Sequence, residues 1–130
     1  YLQPLLQKRF GMRTGVLILG AAWGVWHVFL DFFFYTTPDR GVIMLISQMI
    51  TCVTLGIFFA WAYLKTNNIW VPVIMHFLNN NLILVIANDY SADVIENQQV
   101  TWGMIPSALL LNGVAFGLFL LSKEFRSGKQ

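Results

Sequence analysis

The stretch TGVLILGAAWGVWHVFLDFFFY, residues 14–35, decides the fold. It carries no charge before Asp31, near its far end. A helix needs about 20 apolar residues to cross roughly 30 Å of hydrocarbon, and this segment meets that length. Inside a bilayer a helix satisfies its own backbone, which is what makes such a run viable there. Residues 42–64, 69–88 and 102–121 read the same way. Pro72 falls in the first turn of the third span, where its missing N–H costs no helical hydrogen bond. Polar breaks separate the four: Thr36-Thr37-Pro38-Asp39-Arg40-Gly41, then Lys65-Thr66-Asn67-Asn68, then an acidic loop over residues 89–99. The expectation is an all-α fold, a polytopic membrane helix bundle of about four transmembrane helices in a single domain over residues 1–130.

Composition agrees. The chain is 57% hydrophobic and 11% charged, against about 25% charged in a soluble domain. So few charges cannot cover a soluble surface, and the lipid bilayer becomes the expected partner. The net charge is only +2, and no nucleic-acid partner is expected. Cys52 is the sole cysteine, which excludes an internal disulfide and reads as a small core residue. Residues 1–13 join an apolar stripe (Leu2, Leu5, Leu6, Phe10) to Lys8, Arg9 and Arg13. That pattern fits a short interfacial helix or the end of a helix begun upstream. An opening on Tyr1-Leu2-Gln3-Pro4 reads as the C-terminal part of a longer protein.

The charges also suggest an orientation. With four crossings, Lys8, Arg9, Arg13, Lys65, Lys123, Arg126 and Lys129 share one side, and Arg40 lies opposite with Asp39, Asp89, Asp93 and Glu96. The positive-inside rule then predicts a multi-pass protein of the cell membrane with both ends cytoplasmic. Tyr35, Trp70, Tyr90 and Trp102 sit near span ends, where interfacial aromatics belong. Gly20-x-x-x-Gly24 and Gly113-x-x-x-Gly117 are candidate close-packing motifs, and Gly20, Gly24, His27 and Asp31 share one helix face.

Two patterns inside these apolar helices can carry chemistry: Trp23-x-x-x-His27 and His76-x-x-x-Asn80. Each sets two side chains one turn apart on one face. An ionisable residue within a span is a functional candidate, because it costs several kcal/mol unless partnered. His27 is open to two readings, a bundle-fixing hydrogen bond or a catalytic base. Asp31, one turn on, is either its carboxylate partner or a solvated interfacial aspartate. Asn79-Asn80-Asn81 is a polar run that serves interhelical hydrogen bonding or, through Asn80 beside His76, an oxyanion. Zinc needs three or four ligands, and the spans supply two histidines and no glutamate. A bis-histidine haem would need His27 and His76 face to face and is disfavoured.

Taken with Leu2-Gln3-Pro4-Leu5-Leu6-Gln7-Lys8-Arg9-Phe10-Gly11, the segments Trp23-Gly24-Val25-Trp26-His27 and His76-Phe77-Leu78-Asn79-Asn80 resemble the CPBP family. These are the CAAX-processing and bacteriocin-processing, or Abi-type, intramembrane proteases, related to the type II CAAX prenyl endopeptidase. Its motifs are E-E-x-x-x-R, F-x-x-x-H and H-x-x-x-N or H-x-x-x-D. Trp23 takes the aromatic place and His27 the histidine of the second, and His76 and Asn80 match the third. The first motif has no match, since the only glutamates are Glu96 and Glu124. The chain as it stands is therefore expected to be inactive.

The resemblance implies an intramembrane endopeptidase acting on a membrane-associated peptide, such as a prenylated CAAX-type tail or a bacteriocin precursor. It implies that His27 helps activate water while His76 and Asn80 hold the oxyanion. Some relatives carry a metalloprotease label, so zinc enters through the family alone, and no cofactor is firmly implied. The alternative is a non-enzymatic membrane scaffold or a bacteriocin self-immunity protein.

Overall fold

The computed structural model describes residues 1–90 and 95–126. Asp93 and Lys129, counted above in the charge pattern, lie outside the described residues. All regular structure among the described residues is helical.

Helix α1, Leu2–Phe10, stops at Gly11, whose φ of 87° disfavours any side chain. Helix α2, Met12–Trp26, starts at once, and α1 folds back onto it. A Cβ on Gly15 would stand 2.6 Å from the backbone nitrogen of Gln7, so the two backbones touch. Gln7 is buried in that contact and its Nε2 donates to the Met12 carbonyl at 3.3 Å. The basic N-terminal segment is thus a helix of its own, packed on α2, with Lys8, Arg9 and Arg13 exposed.

After one tight turn at His27 the chain continues as α3, Val28–Phe33. Helix α4, Gly41–Thr66, is the mast of the bundle: α2, α3, α5 and α6 all pack on it. Gly20 and Gly24 set the closest approach. A Cβ on Gly20 would lie 2.6 Å from Val53 Cα, and one on Gly24 would lie 3.1 Å from Met49 Cα. Asn67, left-handed at φ 50°, ends α4. The Asn68 side chain then accepts the Trp70 amide at 2.9 Å and opens α5, Trp70–Ala87.

Beyond α5 the chain returns to the α3 end. The Asn97 amide donates to Phe34 O at 3.1 Å, the Gln98 amide to Tyr35 O at 2.7 Å, and the Thr36 hydroxyl to Gln98 O at 2.7 Å. Helix α6, Met104–Ala115, then gives way to 3-10 turns over Gly117–Leu121 and Lys123–Phe125.

Three stretches are long and apolar enough to span a membrane: Met12–Phe33, Pro38–Thr66 and Trp70–Ala87. Over the fourth expected span the apolar helix is shorter. Its α-helical part is the 12 residues of α6. The helix breaks where Gly113 and Gly117 flank Phe116, each glycine costing about 1 kcal/mol of helix propensity. Nothing lies within 4 Å of a Cβ on Gly113, so the Gly113-x-x-x-Gly117 pair is no close-packed seam. The segment still travels the length of the bundle. It leaves the loop bonded to Phe34 and Tyr35 and ends with buried Phe125 against Val16, Ile57 and Ala60, beside Met12 and Leu64. Aromatic packing replaces helix continuity: Phe119 lies 4.7 Å from Phe58 and 4.5 Å from Trp61, ring centre to ring centre.

Candidate active site

The break between α2 and α3 falls on His27. Its φ of −84° and ψ of −2° lie in the bridge region, sparsely populated and frequent at active sites. Its amide bonds back three residues, to Gly24 O at 3.0 Å, which tightens the turn. The ring is fixed as well: Nδ1 lies 2.8 Å from Trp23 O. A carbonyl only accepts, so Nδ1 carries the proton and Nε2 is the basic nitrogen. Cys52 Sγ, buried on α4, lies 3.9 Å from the same Nδ1.

Helix α5 brings His76 across. Its ring meets Trp23 edge to face at 5.0 Å and lies 5.8 Å from Phe59. His27, His76 and Asn80 line one pocket of about 680 Å³. Pockets of about 300–1,000 Å³ are the usual size for a small ligand. Helix α4 floors it with Ser47, Gln48, Thr51 and Cys52, and Gln98 of the returning loop closes one end. His76 and Asn80 hold no hydrogen bond among the described residues, which leaves their N–H groups for a ligand.

Within the asparagine run, Asn81 turns back to its own helix, Nδ2 donating to Phe77 O at 2.7 Å. Asn79 joins Asn80 at the pocket, a placement the sequence reading did not assign. That reading also missed the polar face of α4. Ser47 and Thr51, and Gln48 and Cys52, are pairs four residues apart, and this spacing was the available signal. Tyr35, expected at the interface, lines the pocket too. Burial, then the charges of Asp31 and Cys52, push its phenol above the usual range, so it remains a neutral donor.

Asp31 departs from both readings given to it. It is 0% exposed, and neither carboxylate oxygen has a hydrogen-bond partner among the described residues. It is neither solvated nor the orienting partner of His27, whose Nδ1 is taken by Trp23 O.

A second cavity of about 420 Å³ adjoins the first. Leu19, Gly20, Gly56, Phe59, Ala60 and Pro72 make its walls largely apolar. Trp23 and His76 line both cavities. Among the described residues no three His, Cys, Asp or Glu side chains converge, so these residues alone do not fit a zinc centre.

No curated protein and no solved structure matches the chain. The sequence pattern of the family described as "Type II CAAX prenyl endopeptidase Rce1-like" matches residues 1–82, a stretch that holds His27, His76 and Asn80. The chain belongs to the Rce1-like family of type II CAAX prenyl endopeptidases.

Proposed function

We propose that the protein is an intramembrane endopeptidase that hydrolyses a membrane-associated peptide, such as a prenylated CAAX-type tail or a bacteriocin precursor. One observation carries the reading: an imidazole nitrogen and two donors, all without a hydrogen bond among the described residues, share one pocket between apolar helices. His27 Nε2 takes a proton from water as the oxygen attacks the peptide carbonyl. General acid–base groups of this kind contribute about 10²- to 10⁴-fold. His76 and Asn80 donate to the oxyanion, and their bonds gain strength in a site walled by hydrocarbon. Neither Glu96 nor Glu124 lines the pocket, so no glutamate of this chain shares the water.

The apolar cavity beside the pocket favours the lipidated substrate over a plain peptide. A tail buried there would hold the scissile bond against His76 while hydrophobic contact supplies affinity. The proposed orientation has both chain ends cytoplasmic. Lys8, Arg9, Arg13, Lys65 and Lys123 gather at the bundle end where Phe125 meets Met12 and Leu64.

The test is cleavage of a lipidated and an unlipidated version of one membrane peptide by the full-length protein in nanodiscs. The expected result is hydrolysis of the lipidated form, abolished by His27→Ala. No cleavage of either form by a folded, full-length protein would leave the scaffold or self-immunity reading. Cysteine-accessibility labelling of the loop around Gln98 in intact cells should report it outside.

A further inference from the structure

The polar pocket and the apolar cavity lie in tandem along the bundle. On α4 the pocket runs from Met44 to Leu55, and the cavity takes over at Phe59, Ala60 and Tyr63. On α5 Ile69 and Pro72 line the cavity, Asn79, Asn80 and Leu84 line the pocket, and His76 lines both. A chain with its lipid in the cavity therefore passes His76 and continues through the pocket toward Tyr35 and Gln98. That stretch brings peptide groups between apolar helices. Each N–H and C=O that leaves water there needs a partner, since an unpaired one costs several kcal/mol.

Two of the pocket's polar side chains already have partners. The Thr51 hydroxyl donates to Ser47 O at 3.1 Å, and Gln98 Nε2 donates to Ile95 O at 2.9 Å. Gln48 is different. Its amide carries both donors and an acceptor, it is half-buried, and it holds no hydrogen bond among the described residues. Cys52, one turn further along the same face of α4, marks the level of His27, with Sγ 3.9 Å from Nδ1. One helical turn rises about 5.4 Å, and an extended chain advances about 3.4 Å per residue. Gln48 thus stands one to two residues past the scissile bond, on the side away from the lipid.

We propose that Gln48 is a substrate-binding residue: its side-chain amide pairs with the main-chain N–H and C=O of one residue on the released side of the scissile bond. The proposal rests on the endopeptidase reading above. In an extended chain the N–H and C=O of one residue point the same way. Oε1 accepts the first and Nε2 donates to the second. The contact reads backbone, so it holds the chain in register against His76 and Asn80 without selecting among side chains. It is made alike in the ground and transition states, so it supports affinity and not the chemical step.

The experiment uses the full-length protein in nanodiscs and labelled lipidated peptides. In each peptide one amide past the scissile bond is replaced by an ester, which removes that N–H. Dissociation constants come from fluorescence anisotropy on the His27→Ala background, where the peptide stays whole. At one position the ester is expected to weaken binding by about tenfold, the contribution of one well-made hydrogen bond. Esters at the other positions should have little effect. Gln48→Met keeps length and helix propensity and removes both polar atoms. It should weaken the all-amide peptide by at least as much, and bind ester and amide forms alike. With His27 restored, Gln48→Met should raise KM and leave kcat near wild type, the sign of uniform binding. Should Gln48→Met not fold, Gln48→Asn, which draws the amide back by one methylene, takes its place with the same outcomes. If no ester weakens binding, or if the folded variant stays as sensitive to the ester as its parent, the proposal is overturned. Ester sensitivity governed by Gln48, with no peptide cleaved by wild type, keeps the contact and removes the endopeptidase. Cleavage by wild type with ester sensitivity independent of Gln48 does the reverse.

Discussion

His27 Nδ1 stands 2.8 Å from the carbonyl oxygen of Trp23, one turn earlier in the chain. The bond uses a backbone acceptor that no side-chain substitution removes. It leaves Nε2 as the basic nitrogen of a ring that lines the pocket. His27→Ala should therefore lower turnover by about 10²- to 10⁴-fold while the melting temperature holds, since the ring is only half-buried. Nitrogen NMR of the neutral ring should report the proton on Nδ1. A proton found on Nε2 would remove the base from this side chain.

The three asparagines should separate. Asn80→Ala and His76→Ala are each expected to cost about 10²- to 10³-fold in turnover, the loss typical of one oxyanion donor. Asn81→Ala should leave turnover near wild type, because its amide is spent on Phe77 O. Asn79 lines the pocket, so Asn79→Ala should fall between them. The check is turnover and melting temperature recorded together for each variant. Turnover that only tracks stability would assign the whole run to packing.

Much of this site was legible in the sequence because helical spacing carries it. A residue and its neighbour four places on share a face whatever the fold, so Trp23 with His27 and His76 with Asn80 could be paired before any coordinates. Facing between helices is not periodic information. It depends on which glycines meet which backbone, and only the Gly20 and Gly24 contacts with Val53 and Met49 fix that. The polar floor of α4 and the burial of Asp31 follow from this docking. The shorter helix over the fourth span has another cause. Hydropathy measures whether a segment prefers lipid, and residues 102–121 do, but helix continuity also depends on Gly113, Phe116 and Gly117.

The glycines give a contrast within one chemistry. Gly20→Ala would drive a methyl to 2.6 Å from Val53 Cα, a backbone atom that cannot step aside. The cost should be about 1–3 kcal/mol, typical of overpacking. Gly113→Ala meets nothing within 4 Å. It should stabilise the chain by up to about 1 kcal/mol through helix propensity. Denaturation of both variants in the same detergent checks the sign of each. A stabilising Gly20→Ala would mean that α2 does not seat on α4 as described.

Asp31 yields the least intuitive expectation. Its carboxylate is fully buried with neither oxygen bonded among the described residues, so it works against folding. An unsatisfied buried polar group costs about 1–3 kcal/mol, and more if charged. Asp31→Leu replaces it with an apolar group of similar size and should raise stability by about that amount. Asp31→Asn removes the charge but keeps unpaired polar atoms, so its gain should be smaller. Thermal melts of both variants decide it. If both melt lower than wild type, a partner holds the carboxylate. If Asp31→Leu melts higher yet loses turnover, the aspartate is kept against stability for what it does to His27, one turn away on the same face, where such a cost is commonly tolerated.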